Sequence, residues 1–294
     1  MVTLALVGAG SWGRNYLAAA KSLHDVEIKY VVTEHDHAET EFSGIQILTD
    51  ISEVPADIDG AIIATPAQTH YALAKHFIKR NCSVLIEKPF ALSVAEARDL
   101  KRISADRTAK VLVGHVQLYN PAYRVAKSLA LSLGELKKVW FRGVVSPKRE
   151  DVSVLWDWGP HPASLFLDLI DAPITAVSAV GNNERVTFVL TYPNMTAQAE
   201  IGWEGAGKRR DMIIEGTRGT ITLDDTKLEN KIAHALLGQS TSFPHYGPTP
   251  PLTVELEEFV RVIRGEQEAY SGIEMGVRVT EVLAQVEKEL ERSA

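Results

Sequence analysis

The chain has 294 residues, of which 45% are hydrophobic and 23% are charged, and this composition argues against a disordered protein and allows one large or two ordinary domains. With 31 basic and 38 acidic residues the formal net charge is −7, which argues against a protein that binds nucleic acid or an anionic membrane. The single cysteine, Cys82, excludes an internal disulfide and a metal site built from cysteines alone.

The first part of the chain, residues 1–114, alternates between strand-like and helix-like patterns. Five short apolar runs rich in β-branched residues are typical of buried strands: TLALVGAG, EIKYVVTE, GAIIATP, SVLIEKP and KVLVGH. Helix-like segments with apolar residues at three- and four-residue spacing lie between several of them: RNYLAAAKSLH, THYALAKHFIKRN and SVAEARDLKRISAD. This order predicts a Rossmann domain with a doubly wound parallel sheet, so the fold class is α/β.

The second part, residues 115–294, predicts a C-terminal α+β domain with a large, mostly antiparallel sheet for substrate binding and oligomerisation. A helix pattern, NPAYRVAKSLALSLGEL, precedes four alternating stretches: KKVWFRGVVS, AVSAVGNNERVTFVLTYPN, MTAQAEIGWEG and RRDMIIEGTRGTITLDD. Within the last stretch, TRGT predicts a tight hairpin. Two final helices, LTVELEEFVRVIRG and IEMGVRVTEVLAQVEKEL, complete the chain and are candidates to pack back on the first domain.

A glycine-rich turn, GAGSWG, follows the first strand directly and opens the first helix. In this G-x-G-x-x-G pattern Gly8 permits the tight turn, Gly10 lets the backbone approach a pyrophosphate, and Gly13 allows close packing of the helix. Ser11 and Trp12 complete the turn at a helix N-terminus, where free N–H groups attract an anion. The motif predicts a dinucleotide site, against the alternative of a glycine-rich turn without a ligand.

The end of the second strand indicates which dinucleotide binds. Glu34 stands where an acid can accept hydrogen bonds from the adenosine ribose. No Lys or Arg follows it closely, so the 2′-phosphate of NADP would meet an acid without an evident counter-charge. The sequence therefore predicts NAD rather than NADP.

An acid and a base end a later strand in the segment VLIEKPFALS, residues 84–93. Pro89 stops the ladder just after Glu87 and Lys88, and a charged pair at a strand end is costly to bury unless something meets it. In doubly wound sheets the ligand lies in the crevice at the carboxyl ends of the strands. We therefore expect Lys88 in the crevice that would hold the nicotinamide, against the alternative of a solvated surface lysine. Glu87 is predicted beside it on the cofactor side, where it would serve stability or orient Lys88.

The segment IATPAQTH, residues 63–70, ends another strand of the same sheet in a similar way. Thr65 and Pro66 are expected at the rim of the crevice, with His70 one helical turn further on. All three are predicted to lie against the cofactor. A capping or packing role is the alternative for His70.

A second candidate constellation lies in VLWDWGPHPASLFLDLI. Asp157 and His161 are four residues apart and would share one face of a helix. The imidazole of a histidine suits proton transfer near neutral pH, and a carboxylate at Asp157 could orient it or a substrate hydroxyl. A structural histidine is the alternative. One Asp and one His are too few ligands for a metal, so no metal is predicted.

Together these motifs resemble the Gfo/Idh/MocA oxidoreductases, since VGAGSWG, IATPAQTH, EKPFALSVAEA and DWGPH occur in the order and approximate spacing of that family. The resemblance implies a two-domain NAD(P)-dependent enzyme, a homodimer or homotetramer formed through the open face of the second domain's sheet. It implies oxidation or reduction of a secondary alcohol of a sugar, cyclitol or nucleotide sugar. Carried over by position, Lys88, Asp157 and His161 become the catalytic set.

Within that family, GHVQLYNPAYRVAK followed by VLWDWGPHPAS looks most like the branch that acts on nucleotide sugars at C3. Many members have Arg-Phe where this chain has Leu118 and Tyr119, which puts in doubt any substrate contact that depends on that arginine. Tyr119, Asn120 and Arg124 are substrate-side candidates, against packing at the helix start and surface roles.

Hydride transfer is the favoured function, with His161 moving the hydroxyl proton and Lys88 polarising the substrate oxygen, or with these two roles exchanged. Two alternatives stay open: a dinucleotide-binding sensor without turnover, and an enzyme that retains NAD and cleaves glycosides. The sequence shows no signal peptide and no apolar run of about 18 residues, so we expect a cytoplasmic protein without a membrane span.

Overall fold

The computed structural model describes residues 1–33, 42, 44–144, 148–203 and 207–293. The chain divides into two compact units. Unit 1 comprises Met1–Val116 and Pro250–Thr280, and unit 2 comprises Gln117–Thr249 and the residues from Glu281 onward. No helix in the described ranges combines the length and the apolar character that a lipid bilayer crossing requires.

Thirteen strands and eight α-helices lie in the described ranges. The strands are β1 Val2–Val7, β2 Val26–Val32, β3 Gln46–Leu48, β4 Gly60–Ile63, β5 Ser83–Glu87, β6 Val111–Gly114, β7 Leu136–Val144, β8 Ala176–Gly181, β9 Arg185–Thr191, β10 Thr196–Gly202, β11 Arg209–Gly216, β12 Gly219–Asp224 and β13 Ile232–Leu236. The helices are α1 Ser11–Lys21, α2 His70–Lys79, α3 Val94–Ala105, α4 Pro121–Ala130, α5 Val154–Trp158, α6 Pro160–Leu169, α7 Pro251–Ile263 and α8 Ile273–Ser293.

The sheet of unit 1 has six strands in the order β3-β2-β1-β4-β5-β6, and every pairing is parallel. Strands β4, β5 and β6 are buried at every residue, which explains why they read as continuous apolar runs rather than alternating ones. The predicted doubly wound parallel sheet is confirmed. The three-residue strand β3 was not predicted, because its sequence is too short to show a period.

Helix α7 belongs to unit 1 and packs closely on its sheet. A Cβ atom added to Gly60 of β4 would lie 2.9 Å from Ile263 and 3.1 Å from Phe259 of α7. Leu256 is also fully buried on this helix. The apolar stripe of α7 is therefore a core face, as its three- and four-residue spacing indicates.

Unit 2 contains a seven-stranded sheet in the order β13-β12-β11-β7-β10-β9-β8. All its pairings are antiparallel except that of β7 with β10, so the predicted mostly antiparallel sheet is confirmed. Thr217 and Arg218 join β11 to β12, which is the hairpin predicted at TRGT. Burial alternates along β9 and β10, so one face of the sheet is buried and the other is half-buried. Strand β13 was not predicted.

Candidate active site

The three glycines of the turn between β1 and α1 serve different purposes. Gly8 has φ +95°, and a Cβ there would lie 2.7 Å from the carbonyl oxygen of Ala64. A Cβ on Gly13 would lie 2.1 Å from the carbonyl oxygen of Gly8, so helix and turn touch there. At Gly10 a Cβ would meet nothing within 4 Å. The turn is thus tight on the protein side and open at Gly10, as the close approach of a pyrophosphate requires.

The N-terminus of α1 adds hydrogen-bond donors to this open space. Gly10 is the N-cap residue, and among the described residues no side chain caps the helix. The first N–H groups of a helix have no partner within it and carry a partial positive charge. The residues present therefore fit the pyrophosphate of a dinucleotide.

Glu87, at the carboxyl end of β5, is the centre of a hydrogen-bond network in unit 1. It is buried, and its Oε1 accepts hydrogen bonds from the indole Nε1 of Trp12 and, at 2.6 Å, from the hydroxyl of Tyr16. Its Oε2 accepts from the backbone N–H of Lys88 at 3.1 Å. Gly114 is its partner on β6, and a Cβ there would lie 3.1 Å from the Glu87 carboxyl carbon. Burial raises the pKa of Glu87, while the hydrogen bonds from Tyr16 and Trp12 lower it.

Lys88 follows Glu87 and is half-buried at the end of β5. The neighbouring strand β6 leads into His115, which is completely buried and has its Nδ1 2.9 Å from the hydroxyl of Ser271. Burial, and after it the charge of Lys88, lowers the pKa of His115 to about 3. His115 is thus a neutral imidazole in the electrostatic range of Lys88. Sequence reasoning missed it, although it follows β6 as Lys88 follows β5.

His70 connects two strand ends. Its Nδ1 lies 2.8 Å from the carbonyl oxygen of Pro89 and its Nε2 lies 2.9 Å from that of Thr65. The ring is buried, whereas Thr65 is half-buried and Pro66 is exposed. The Thr65 hydroxyl is in turn 2.6 Å from that of Thr69. His70 therefore holds the end of β4 to the turn after β5, a packing role that positions both.

Glu255 of α7 is a second buried acid in unit 1, and sequence reasoning missed it. It is completely buried, and neither carboxyl oxygen has a hydrogen-bond partner among the described residues. Burial raises its pKa well above the ordinary value, and the charges of Glu87 and Glu258 raise it further. Burial likewise raises the pKa of Tyr16, followed by the charges of Glu255 and Glu87. Glu255 therefore binds its proton more tightly in the folded chain than an ordinary glutamate does.

Asp157, on α5 of unit 2, is buried and held from two sides. Its Oδ2 accepts a hydrogen bond from the indole of Trp203 at 3.0 Å, and its Oδ1 lies 3.4 Å from the guanidinium of Arg149. Arg149 also binds Asp151 through two hydrogen bonds of 2.8 and 2.5 Å. These contacts fix the position of the Asp157 carboxylate. Trp203 and Arg149 were not predicted, because neither residue belongs to the DWGPH motif and Trp203 is also distant from it in sequence.

His161 lies on α6 and is buried with its ring 5.1 Å from that of Trp158 in an edge-on contact. Gly159 joins α5 to α6 with helical backbone angles. Hydrogen bonds from Gly159 N–H to the Leu155 carbonyl and from Ala163 N–H to the Gly159 carbonyl continue the helical path. Helices α5 and α6 therefore abut, and the four-residue spacing of Asp157 and His161 is helical.

The three substrate candidates all lie at the start of α4 in unit 2. Tyr119 is completely buried, with the Arg124 guanidinium 5.1 Å from its ring centre. Asn120 caps α4 by accepting from the Ala122 N–H at 3.0 Å, and it donates to Asp225 at 3.1 Å. Arg124 also donates to a backbone carbonyl, that of Leu118, at 3.0 Å. These contacts show that the three residues stabilise the start of α4. Their role in substrate binding stays a prediction.

Two further sequence predictions concern the cofactor and metals. Glu34, predicted to select NAD, lies outside the described residues. Among the residues that the structure describes, no group of three or more His, Cys, Asp or Glu side chains is arranged to hold a metal ion.

Comparison with known proteins adds an evolutionary context to this geometry. Residues 2–115 match the profile of the GFO_IDH_MocA group, described as an oxidoreductase family with an NAD-binding Rossmann fold. The 4-carboxy-2-hydroxymuconate-6-semialdehyde dehydrogenase of a Sphingobium species is 28% identical over 180 residues, which cover 55% of this chain and 57% of that protein. The UDP-N-acetylglucosamine 3-dehydrogenase of Acidithiobacillus ferrooxidans is 29% identical over 126 residues, 43% of this chain and 40% of that protein. The matches thus span about half the length of these curated relatives.

A solved structure extends the similarity along the chain. A Magnetospirillum magnetotacticum MS-1 protein, assigned to the oxidoreductases, superposes with a TM-score of 0.86 at 28% identity. The match covers 97% of this chain and 99% of that protein. Both units therefore have counterparts in one known structure.

Proposed function

We propose that this chain, whose residues 2–115 match the Gfo/Idh/MocA oxidoreductase family, transfers a hydride between the nicotinamide of NAD and a secondary-alcohol carbon of a sugar, cyclitol or nucleotide sugar. One observation carries the proposal. The glycine-rich turn, open at Gly10, and the pair Glu87–Lys88 end two strands of one parallel sheet, β1 and β5. Ligands of such sheets bind at the carboxyl ends of the strands.

When bound, NAD supplies the hydride acceptor of the reaction, and the chain's own residues hold and orient it. The backbone of the glycine-rich turn binds the pyrophosphate, and Glu34 binds the adenosine ribose. Towards the nicotinamide, His70 and Glu87 hold the strand ends in place through the contacts described above. The proposed cofactor-side residues are Gly8, Gly10, Ser11, Trp12, Gly13, Glu34, Thr65, Pro66, His70, Glu87 and Lys88.

The proposed catalytic residues are Lys88, Asp157 and His161. Lys88 donates a hydrogen bond to the substrate oxygen, and the neutral His115 nearby adds no second positive charge. His161 accepts the hydroxyl proton during oxidation and returns it during reduction, or these two roles are exchanged. Asp157 orients the substrate hydroxyl or the imidazole, and its hydrogen bonds with Trp203 and Arg149 support a fixed orientation.

The substrate class rests on the relatives and on sequence. The A. ferrooxidans relative acts on a nucleotide sugar at C3, as the GHVQLYNPAYRVAK segment also suggests for this chain. The Sphingobium relative is named for a semialdehyde instead, so the substrate screen includes both chemistries. Tyr119, Asn120 and Arg124 are proposed on the substrate side.

The experiment is a screen of UDP-N-acetylglucosamine, free sugars, cyclitols and semialdehydes with NAD, read by the absorbance of NADH. Formation of NADH with one of them supports the proposal. Tight NAD binding without turnover of any substrate would favour a sensor. Release of a leaving group without net NADH would favour an enzyme that retains NAD and cleaves glycosides.

A further inference from the structure

The side chains of Trp12 and Glu87 form a hydrogen-bonded bridge across the carboxyl ends of the strands in the unit 1 sheet. Trp12 belongs to the glycine-rich turn after β1, whereas Glu87 ends β5, and β4 lies between these strands. Neighbouring strands are about 4.8 Å apart, so the bridge spans roughly two strand spacings. It therefore passes the carboxyl end of β4, inside the crevice where doubly wound sheets bind their ligands.

The indole is held at one edge by a hydrogen bond and is partly exposed. Its Nε1 donates to Glu87, a residue only 5% exposed that also receives hydrogen bonds from Tyr16 and Lys88. Trp12 itself remains 40% exposed. Because Tyr16 and the Lys88 backbone hold the carboxylate, its hydrogen bond restricts where the Nε1 edge of the ring can lie. A large aromatic surface is thus oriented in advance, which lowers the entropic cost of binding a flat ligand.

We propose that this indole, anchored by Glu87, is the surface on which the nicotinamide ring of NAD⁺ lies. The inference rests on the proposed function and deepens it, because it assigns the nicotinamide half of the cofactor to one side chain. The oxidised nicotinamide is a flat cation, and such cations bind to the face of an indole. Trp12 would then govern affinity for the nicotinamide half, while the turn backbone governs affinity for the pyrophosphate.

The test compares NAD⁺ with ADP-ribose, which keeps the adenosine, the pyrophosphate and the second ribose but lacks nicotinamide. Isothermal titration measures both affinities for the native chain and for Trp12→Leu, which removes the aromatic face and the N–H donor. We expect Trp12→Leu to weaken NAD⁺ binding roughly tenfold and to change ADP-ribose binding less than about twofold. Glu87→Leu, which removes the acceptor of the Trp12 N–H, should weaken NAD⁺ binding in the same direction, and it should add little when combined with Trp12→Leu, since both disrupt one bridge.

Trp156 of unit 2 supplies a matched control, because its indole also donates to a glutamate, Glu287, at 2.7 Å. Trp156→Phe should leave both affinities unchanged. Thermal unfolding verifies that each variant is folded. If Trp12→Leu does not fold, Trp12→Phe replaces it, because phenylalanine keeps an aromatic ring but cannot donate to Glu87. Trp12→Phe should lose part of the affinity for NAD⁺.

The outcomes separate the two proposals. If the Trp12 variants bind both ligands equally more weakly, or both as tightly as the native chain does, the nicotinamide does not lie on the indole. Either result would leave the proposed dinucleotide site intact. A native chain that binds neither NAD⁺ nor ADP-ribose would overturn the proposed function as well.

Discussion

Glu87 and Glu255 are buried in the same unit, but their surroundings differ. Three donors, from Trp12, Tyr16 and the Lys88 backbone, reach the Glu87 carboxylate, whereas none of the described residues donates to Glu255. The charge of Glu87 raises the pKa of Glu255 in addition to the effect of burial. Burial raises the pKa of both groups, and it raises that of Glu255 further because no described donor stabilises its charged form.

Replacing Glu255 by glutamine should stabilise the protein increasingly as the pH rises. Well below the ordinary value of 4.5, folded and unfolded chains both hold the proton, and Glu255 behaves like glutamine. Above it the unfolded chain releases the proton and the folded chain keeps it, which costs the native chain about 1.4 kcal/mol per pH unit up to the raised pKa. Urea unfolding of both chains at several pH values measures the difference, and a difference that does not change with pH would contradict the raised pKa of Glu255.

Gly10→Ala should weaken dinucleotide binding without weakening the fold. A Cβ at this position meets nothing within 4 Å, so we expect the unfolding midpoint to stay within about 2 °C of the native value. The methyl group would occupy the space that a pyrophosphate needs, and NADH affinity should fall roughly tenfold or more. Gly13→Ala is the contrasting variant, because its Cβ would collide with the Gly8 carbonyl and should destabilise the protein. Fluorescence titration of NADH and thermal unfolding distinguish the two, and unchanged NADH affinity in Gly10→Ala would place the pyrophosphate elsewhere.

Much of the fold could be predicted from local patterns, and the exceptions have physical reasons. The strands of unit 1 are buried on both faces, so each reads as an apolar run, and the unit 2 strands alternate because one face is less buried. Strand β3 is too short to show a period. Strand β13 has half-buried residues at four of its five positions, which blurs its alternation.

The residues of the candidate site also include some that local sequence patterns predict and some that they do not. The glycine-rich turn and Lys88 could be named because their signals are contiguous in sequence. Glu255 could not, since periodicity gives an acid on an amphipathic helix a solvent-facing role, and only packing of α7 in unit 1 buries it. The Arg149 and Trp203 contacts with Asp157 depend likewise on tertiary structure.

NADH should bind more tightly than NADPH, and Glu34→Ser should reduce that preference roughly tenfold. A carboxylate at the ribose repels the 2′-phosphate and accepts hydrogen bonds from the 2′-hydroxyl. Dissociation constants for both reduced cofactors, measured on both chains, test this. Equal or tighter NADPH binding by the native chain would show that Glu34 does not select the cofactor.

The chain should form a homodimer or homotetramer through the half-buried face of the unit 2 sheet. Ile213, Trp140, Gln198 and Val189 stand next to one another on four adjacent strands of that face. All four are half-buried, and three are large and apolar, so a partner would cover them. Sedimentation at micromolar concentration should show a species larger than 32.3 kDa, and Ile213→Glu should shift it towards the monomer. A native chain that sediments only at the monomer mass would contradict this.

The most direct test of the proposed chemistry is turnover by the Lys88→Met variant. With the substrate that the NADH screen identifies, kcat should fall by roughly two to four orders of magnitude, because a positioned donor is lost while the bulk of the side chain stays. His161→Asn should show a loss of similar size for the same reason. NADH affinity, measured by fluorescence titration, should remain nearly native in both variants, since the pyrophosphate contacts lie at the glycine-rich turn. Near-normal kcat in Lys88→Met would contradict the account and reduce the Glu87–Lys88 pair to a structural feature of the strand end.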